Sequence, residues 1–192
     1  MLCATASHRI DILAIESHTE PMDTPRTILT TIGYENADLS DFIASLHAAS
    51  VTCLVDVREL AMSRRRGFSK SALSAALGAE DIAYVHLRGL GDPKEGRDAA
   101  RRGDYARFIN IFTRHIDTPV AQADLARAAS LVAKGGACLM CYERDHTSCH
   151  RSIVATAISA TIPITIRHIG VSAGIAARSI TTTVRDLAPE WT

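Results

Sequence analysis

The sequence predicts a single three-layer α/β domain: a mainly parallel sheet of about five strands with helices on both faces, Rossmann-like and doubly wound. Three observations predict it. From Thr27 to Ile169, short apolar and β-branched runs alternate with stretches of helical periodicity. Val51 to Val57 is almost continuously apolar, the mark of a strand buried on both faces. The links between runs are short, which favours parallel pairing through right-handed crossovers.

The elements follow in order. Thr27 to Tyr34 is β-branched and apolar and reads as the first strand. Leu39, Phe42, Ile43 and Leu46 repeat at helical spacing behind Asp38, a capping residue. Val51 to Val57 is the second strand. Ser69 opens a helix that carries Leu73, Ala76 and Leu77 and ends at Gly78. Ile82 to Leu87 is the third strand, and Gly89, Gly91, Pro93 and Gly96 mark a long loop. One helical region spans Arg97 to His115. Thr118-Pro119 starts another helix, with proline at the first helical position, and Gly135-Gly136 closes it. Ala137 to Tyr142 is the fourth strand. Ser148 caps the helix of Ile153, Val154, Ala157 and Ile158, and Ile164 to Ile169 is the fifth strand. Residues 1–26 read as an N-terminal tail, 27–170 as the domain and 171–192 as a C-terminal extension. Met22 offers a later start just before the first strand.

Composition narrows the classes. Of 192 residues, 47% are hydrophobic and 22% charged, which suits one globular domain with a real core. The formal net charge is +0, so global attraction to nucleic acid or an anionic membrane is not expected, and any basic site must be local. No apolar run approaches the roughly 20 residues of a spanning helix. Arg9, Asp11 and Glu16 interrupt the first segment and argue against a secretory signal. Five cysteines, an odd number, favour a reducing cytoplasm over a disulfide framework. The P-loop, the dinucleotide glycine fingerprint, the nucleophile elbow and the zincin helix motif are absent.

Every strand ends in polar chemistry, and a parallel sheet gathers those ends at one edge, where open α/β sheets bind ligands. The first strand brings Gly33, Tyr34 and Glu35. The second brings Asp56 and Arg58, on one side by the two-residue period. The third brings His86 and Arg88, the fourth Cys141 and Glu143, the fifth His168. A shared pocket is expected there.

Cys149-His150-Arg151 opens the helix after the fourth strand. Free N–H groups at a helix start favour an anion, and the same field lowers a thiol pKa. Cys149 is therefore a candidate nucleophile, a redox partner of Cys141, or a thiol beside a phosphate-binding arginine. Cys138 and Cys141 lie three apart on a strand and face opposite ways, so they make no zinc knuckle. A metal site of Cys141, His146 and Cys149 survives that objection. A disulfide switch needs Cys141 and Cys149 with Cα atoms roughly 4.4 to 6.8 Å apart.

Arg64, Arg65, Arg66 and Lys70 make the strongest local charge, with Gly67 and Phe68 between them and Ser63 before them. Guanidinium forks suit phosphate. A nucleic-acid groove is the alternative, although acidic residues are interspersed and only 5% of residues are aromatic.

Together, Thr31 to Glu35, Leu54 to Arg58, Ser63-Arg64, Gly67 to Lys70, Leu90-Gly91 and Cys141-Tyr142-Glu143 leading to Cys149-His150-Arg151 resemble the family called domain of unknown function 488 (DUF488). One departure is Ala61, where the family pattern usually has proline. The resemblance implies a compact α/β fold with these motifs lining one site. It implies no particular reaction, so function is argued from the residues. The leading expectation is a strand-end pocket for a phosphate-containing or nucleotide-like ligand. Arg58, Arg64 and Arg151 bind the anion, with Tyr34, Glu35, Ser63, Lys70 and His150 lining the site. Asp56 and Glu143 orient the arginines or act as acid and base, and Cys141 and Cys149 supply thiol chemistry.

Overall fold

The computed structural model describes residues 26–178. The expected tail, apart from Arg26, and the extension beyond residue 178 lie outside the described residues.

Five strands form one sheet: β1 (Thr27–Gly33), β2 (Cys53–Asp56), β3 (Ala83–His86), β4 (Ala137–Cys141) and β5 (Ile164–Ile169). Their order is β3-β2-β4-β1-β5, and every pairing is parallel. The register sets Gly33 beside Cys141 and Asp56 beside Met140, so the polar strand ends share one edge.

The helices are α1 (Leu39–Ala48), α2 (Lys70–Gly78), α3 (Lys94–Arg101), α4 (Tyr105–Ile116), α5 (Pro119–Ala133) and α6 (His150–Ser159), with a 3-10 turn at Arg88–Leu90. Two apolar cores result. Leu54, Ile32, Cys138 and Met140 pack with Phe42 and Leu46 of α1 and Leu73 and Leu77 of α2. Leu29, Val55, Leu139 and Cys141 pack with Phe112 of α4, Leu125 of α5 and Val154 and Ile158 of α6. A fully buried side chain such as Phe42 or Phe112 contributes about 1.5–3 kcal/mol by leaving water. The chain crosses toward β2 and β3 over the first core and back toward β4 over the second. Opposite directions on opposite faces keep every crossover right-handed.

Two helical expectations change. The region from Arg97 to His115 is two helices, because Gly103 adopts a positive φ of 76° and Asp104 restarts the chain by accepting from the Arg107 amide at 3.1 Å. The last helix is capped at Cys149 rather than Ser148, whose hydroxyl instead donates to the Asp145 carbonyl at 3.4 Å. Thr118 does cap α5, with Pro119 at its first position. Residues 172–176 dock on α1: the amides of Gly174 and Ala176 donate to the Asp41 carboxylate at 2.7 and 3.1 Å. Among the described residues, no helix is long and apolar enough to cross a membrane.

Candidate functional site

The strand-end residues do gather at the carboxyl edge, but the sheet divides them. The expected single pocket is two packed centres, one on each face.

The first centre lies on the side of α1 and α2. The Asp56 carboxylate accepts from Arg58 Nε at 2.9 Å and Nη2 at 2.6 Å, a two-pronged ion pair closed from solvent. Tyr84 donates to the same carboxylate at 2.6 Å. Arg58 Nη1 donates to the Tyr34 hydroxyl at 2.8 Å and to the Phe68 carbonyl at 3.0 Å. Tyr34 stacks on Phe68 with ring centres 4.4 Å apart. Burial opposes the Arg58 charge, but the bonded Asp56 carboxylate outweighs it and raises the pKa. Burial and the Asp56 charge push the Tyr84 phenol up. His86, two residues on, bonds the Arg58 carbonyl at 2.8 Å.

The second centre lies under α6. Cys141 and Cys149 both direct Sγ at one oxygen, Glu143 Oε2, at 3.0 and 3.1 Å. His150 Nδ1 is 3.7 Å from Cys141 Sγ, and its Nε2 is 2.8 Å from the Val57 carbonyl. A carbonyl only accepts, so Nε2 carries the proton and donates. Cys141, Cys149 and His150 are buried; Glu143 is half-buried. Burial raises the Cys141 thiol pKa. The expected Cys149 thiolate meets the same obstacle. Burial and the adjoining Cys141 thiol push Cys149 well up, against the helix start that would lower it. Burial opposes the Glu143 charge too, but bonds from both thiols and the His150 charge hold its carboxyl below the usual range. His150 rises to about 9: burial opposes its charge, but Cys149, the Val57 carbonyl and Glu143 favour it.

The remaining expected residues separate further. Arg151 is 1% exposed and donates to the carbonyls of Glu143 and, at 3.0 Å, Arg144; its Nε is buried without a partner. Arg58 and Arg151 thus direct their donors inward, and both brace the frame of the edge. His146 does not join Cys141 and Cys149. Its ring stacks on His168 at 3.7 Å, and His168 bonds Thr31. Glu35 accepts from the Arg144 amide at 3.1 Å and tethers that loop to β1. In the basic loop, Arg65 donates to the Ala37 carbonyl at 2.7 Å, while the Ser63 hydroxyl accepts from the Arg65 amide. Arg64, Arg66 and Lys70 stay exposed.

Sequence reasoning missed three participants. Tyr84 was detectable, since it shares a strand side with His86. Asp92 stands in the glycine-marked loop, is 5% exposed, and leaves Oδ1 without a partner. The Val57 carbonyl carried no sequence signal. A cleft of about 450 Å³ lies at the amino ends of the strands, lined by Thr27, Ser50, Gly136 and Arg167, away from both centres.

The fold and site define a doubly wound, all-parallel α/β protein with a buried thiol–carboxylate–imidazole centre at the carboxyl edge of its sheet. The family model described as domain of unknown function DUF488 matches residues 38–158, and the chain belongs to that family. No curated protein and no solved structure matches the chain.

Proposed function

We propose that the carboxyl edge binds a small phosphate-bearing or nucleotide-like ligand, its phosphate on the Arg64–Lys70 loop and its reacting end at the Cys141–Glu143–Cys149–His150 centre. One observation carries the reading: Arg64, Arg66 and Lys70 are exposed and, among the described residues, form no ion pair. They stand at the start of α2, where the Ser69 hydroxyl makes no cap bond. The Lys70 amide donates to the Ala61 carbonyl at 2.8 Å, and the three cations gathered beside this helix start favour an anion there. The loop follows β2 and the thiol centre follows β4, and these are neighbouring strands. Adjacent strands are about 4.8 Å apart, so the two carboxyl ends are close, and a ligand reaching both sites passes over the edge of the sheet from one face to the other. Compared with the expectation from sequence, Arg64 keeps the phosphate role, Lys70 and Arg66 share it, and Arg58 and Arg151 leave it. Among the described residues the four cysteines are free, which fits a reducing compartment such as the cytoplasm.

Calorimetric titration with inorganic phosphate, mononucleotides and short oligonucleotides at several salt concentrations tests this. The Arg64→Ala/Arg66→Ala variant should bind phosphate or nucleotide about tenfold or more weakly. Equal affinity for wild type and variant removes the phosphate role. Tighter binding of oligonucleotides than mononucleotides, falling steeply with salt, would instead make the loop a nucleic-acid contact.

A further inference from the structure

We propose that Cys141, Glu143, Cys149 and His150 form a four-coordinate site for a zinc-class divalent cation. It occupies the centre to which the preceding reading assigns the ligand's reacting end, but it stands on different residues from the phosphate loop and does not depend on what that loop binds.

The geometry carries the proposal. Each of the four residues offers one donor atom, and no two of these atoms are more than 4.8 Å apart. Metal–sulfur bonds of about 2.3 Å and metal–nitrogen or –oxygen bonds of about 2.1 Å give a tetrahedron with edges of roughly 3.4–3.8 Å, the sulfur-containing ones about 3.6–3.8 Å. The Cys141 Sγ to His150 Nδ1 separation of 3.7 Å is already such an edge. The two thiol–Glu143 separations, 3.0 and 3.1 Å, are hydrogen-bond lengths and need to open by about half an ångström. Two soft sulfurs with an imidazole and one carboxylate select zinc-class ions over calcium or magnesium.

Two further features match what a metal site requires. His150 Nε2 donates to the Val57 carbonyl, which leaves Nδ1 as the nitrogen for the metal; Cys141 Sγ lies 3.7 Å from Nδ1 and 3.9 Å from Nε2, so binding also turns the ring until Nδ1 faces the ion. Three of the donors are buried and Glu143 is half-buried, so the carboxylate is the side from which an ion enters. Asp92 adds an independent sign. Its carboxyl feels the charges of His150 and Glu143, and its Oδ1 is buried with no partner. A divalent cation in the cluster would add to the positive charge that Arg97 already presents to this carboxylate.

A dithiol that exists to form a disulfide needs neither the imidazole nor the carboxylate. The ligand set also differs from a Cys141, His146 and Cys149 site, because His146 is held against His168.

The test uses the untagged full chain. Elemental analysis after purification without chelators should find about one zinc-class ion per chain. Chelator-stripped, reduced protein titrated with Co²⁺ should show the visible bands of tetrahedral cobalt and a thiolate charge-transfer band, saturating at about one equivalent. Cys149→Ser and His150→Gln should lose or weaken the bands, while His146→Ala keeps them. Uptake by wild type is the deciding measurement if a variant fails to fold. Reduced, folded wild type that takes up no cobalt overturns the site, as does ready Cys141–Cys149 disulfide formation unaffected by added zinc. Loss of the bands in His146→Ala overturns the ligand set. The Arg64→Ala/Arg66→Ala variant should retain full metal uptake, so the metal and phosphate readings fail separately.

Discussion

Gly33 and Glu143 meet more closely than any side chain permits: a Cβ built on Gly33 would lie 1.8 Å from the Glu143 carbonyl oxygen. The end of β1 thus passes directly beneath the loop that leaves β4. That loop carries the Glu143 carboxylate to the two thiols, and its carbonyl also accepts from Arg151.

Gly33→Ala should therefore harm the thiol centre without touching it. The obstacle is backbone, which cannot rotate away. The overpacking cost is about 1–3 kcal/mol or more. Urea unfolding should show the lost stability, and thiol labelling should show Cys149 becoming more reactive. An unchanged unfolding midpoint would mean the loop yields freely.

Arg58→Lys should cost about 3–5 kcal/mol although it keeps the charge. The Asp56 carboxylate is fully buried and is held by a two-pronged guanidinium that lysine cannot reproduce. Asp56→Asn should cost a similar amount. Replacing both partners with apolar residues should recover much of the loss, because no unpaired charge then remains inside. Denaturant midpoints of the three variants check this.

Asp92 makes stability depend on pH. Burial, with smaller effects from Glu143 and Glu59, raises its pKa from 3.8 to about 6, against the opposing charges of His150 and Arg97. A raised folded-state pKa means the native protein holds the proton more tightly than the unfolded chain. Its stabilising effect is fully present below about pH 4 and is lost as pH rises through about 6. Asp92→Asn cannot ionise, so it should flatten the curve in that window and be more stable at pH 7, by up to about 3 kcal/mol. Thermal unfolding of chelator-treated wild type and variant across that range reads it directly. Parallel curves would show that Asp92 does not titrate there.

Arg151→Met should destabilise, and Arg64→Ala should not. Arg151 supplies charged bonds to two carbonyls from a site 1% exposed, and such bonds are worth about 1.5–3 kcal/mol each. Arg64 is exposed, and its loss should stay within about 0.5 kcal/mol. Thermal denaturation of both variants separates an arginine that braces the fold from one that faces solvent.

Much of the architecture was legible in the residues themselves. The apolar run Val51 to Val57 contains β2, and Thr118-Pro119 begins α5 as expected. Parity alone placed Cys138 and Cys141 on opposite faces, and the two belong to different cores. Parity likewise paired Asp56 with Arg58 and Cys141 with Glu143, and both pairs are in contact. The break between α3 and α4 was harder to see. Its signal, Gly103 followed by Asp104, sits inside a stretch whose charge pattern remains helical on both sides.

The sequence by itself determined the parallel sheet, the shared edge and the side of each strand on which a residue lies, because these follow from local periodicity and short links. Only the tertiary structure decided that this edge holds two centres rather than one pocket. Which helical layer covers each face depends on packing between distant segments. It is that packing which pairs His150 with a carbonyl 93 residues away, turns Arg58 and Arg151 inward, and stacks His146 on His168. Burial, a property of the assembled fold, then raises the pKa of a thiol that the helix start alone would lower.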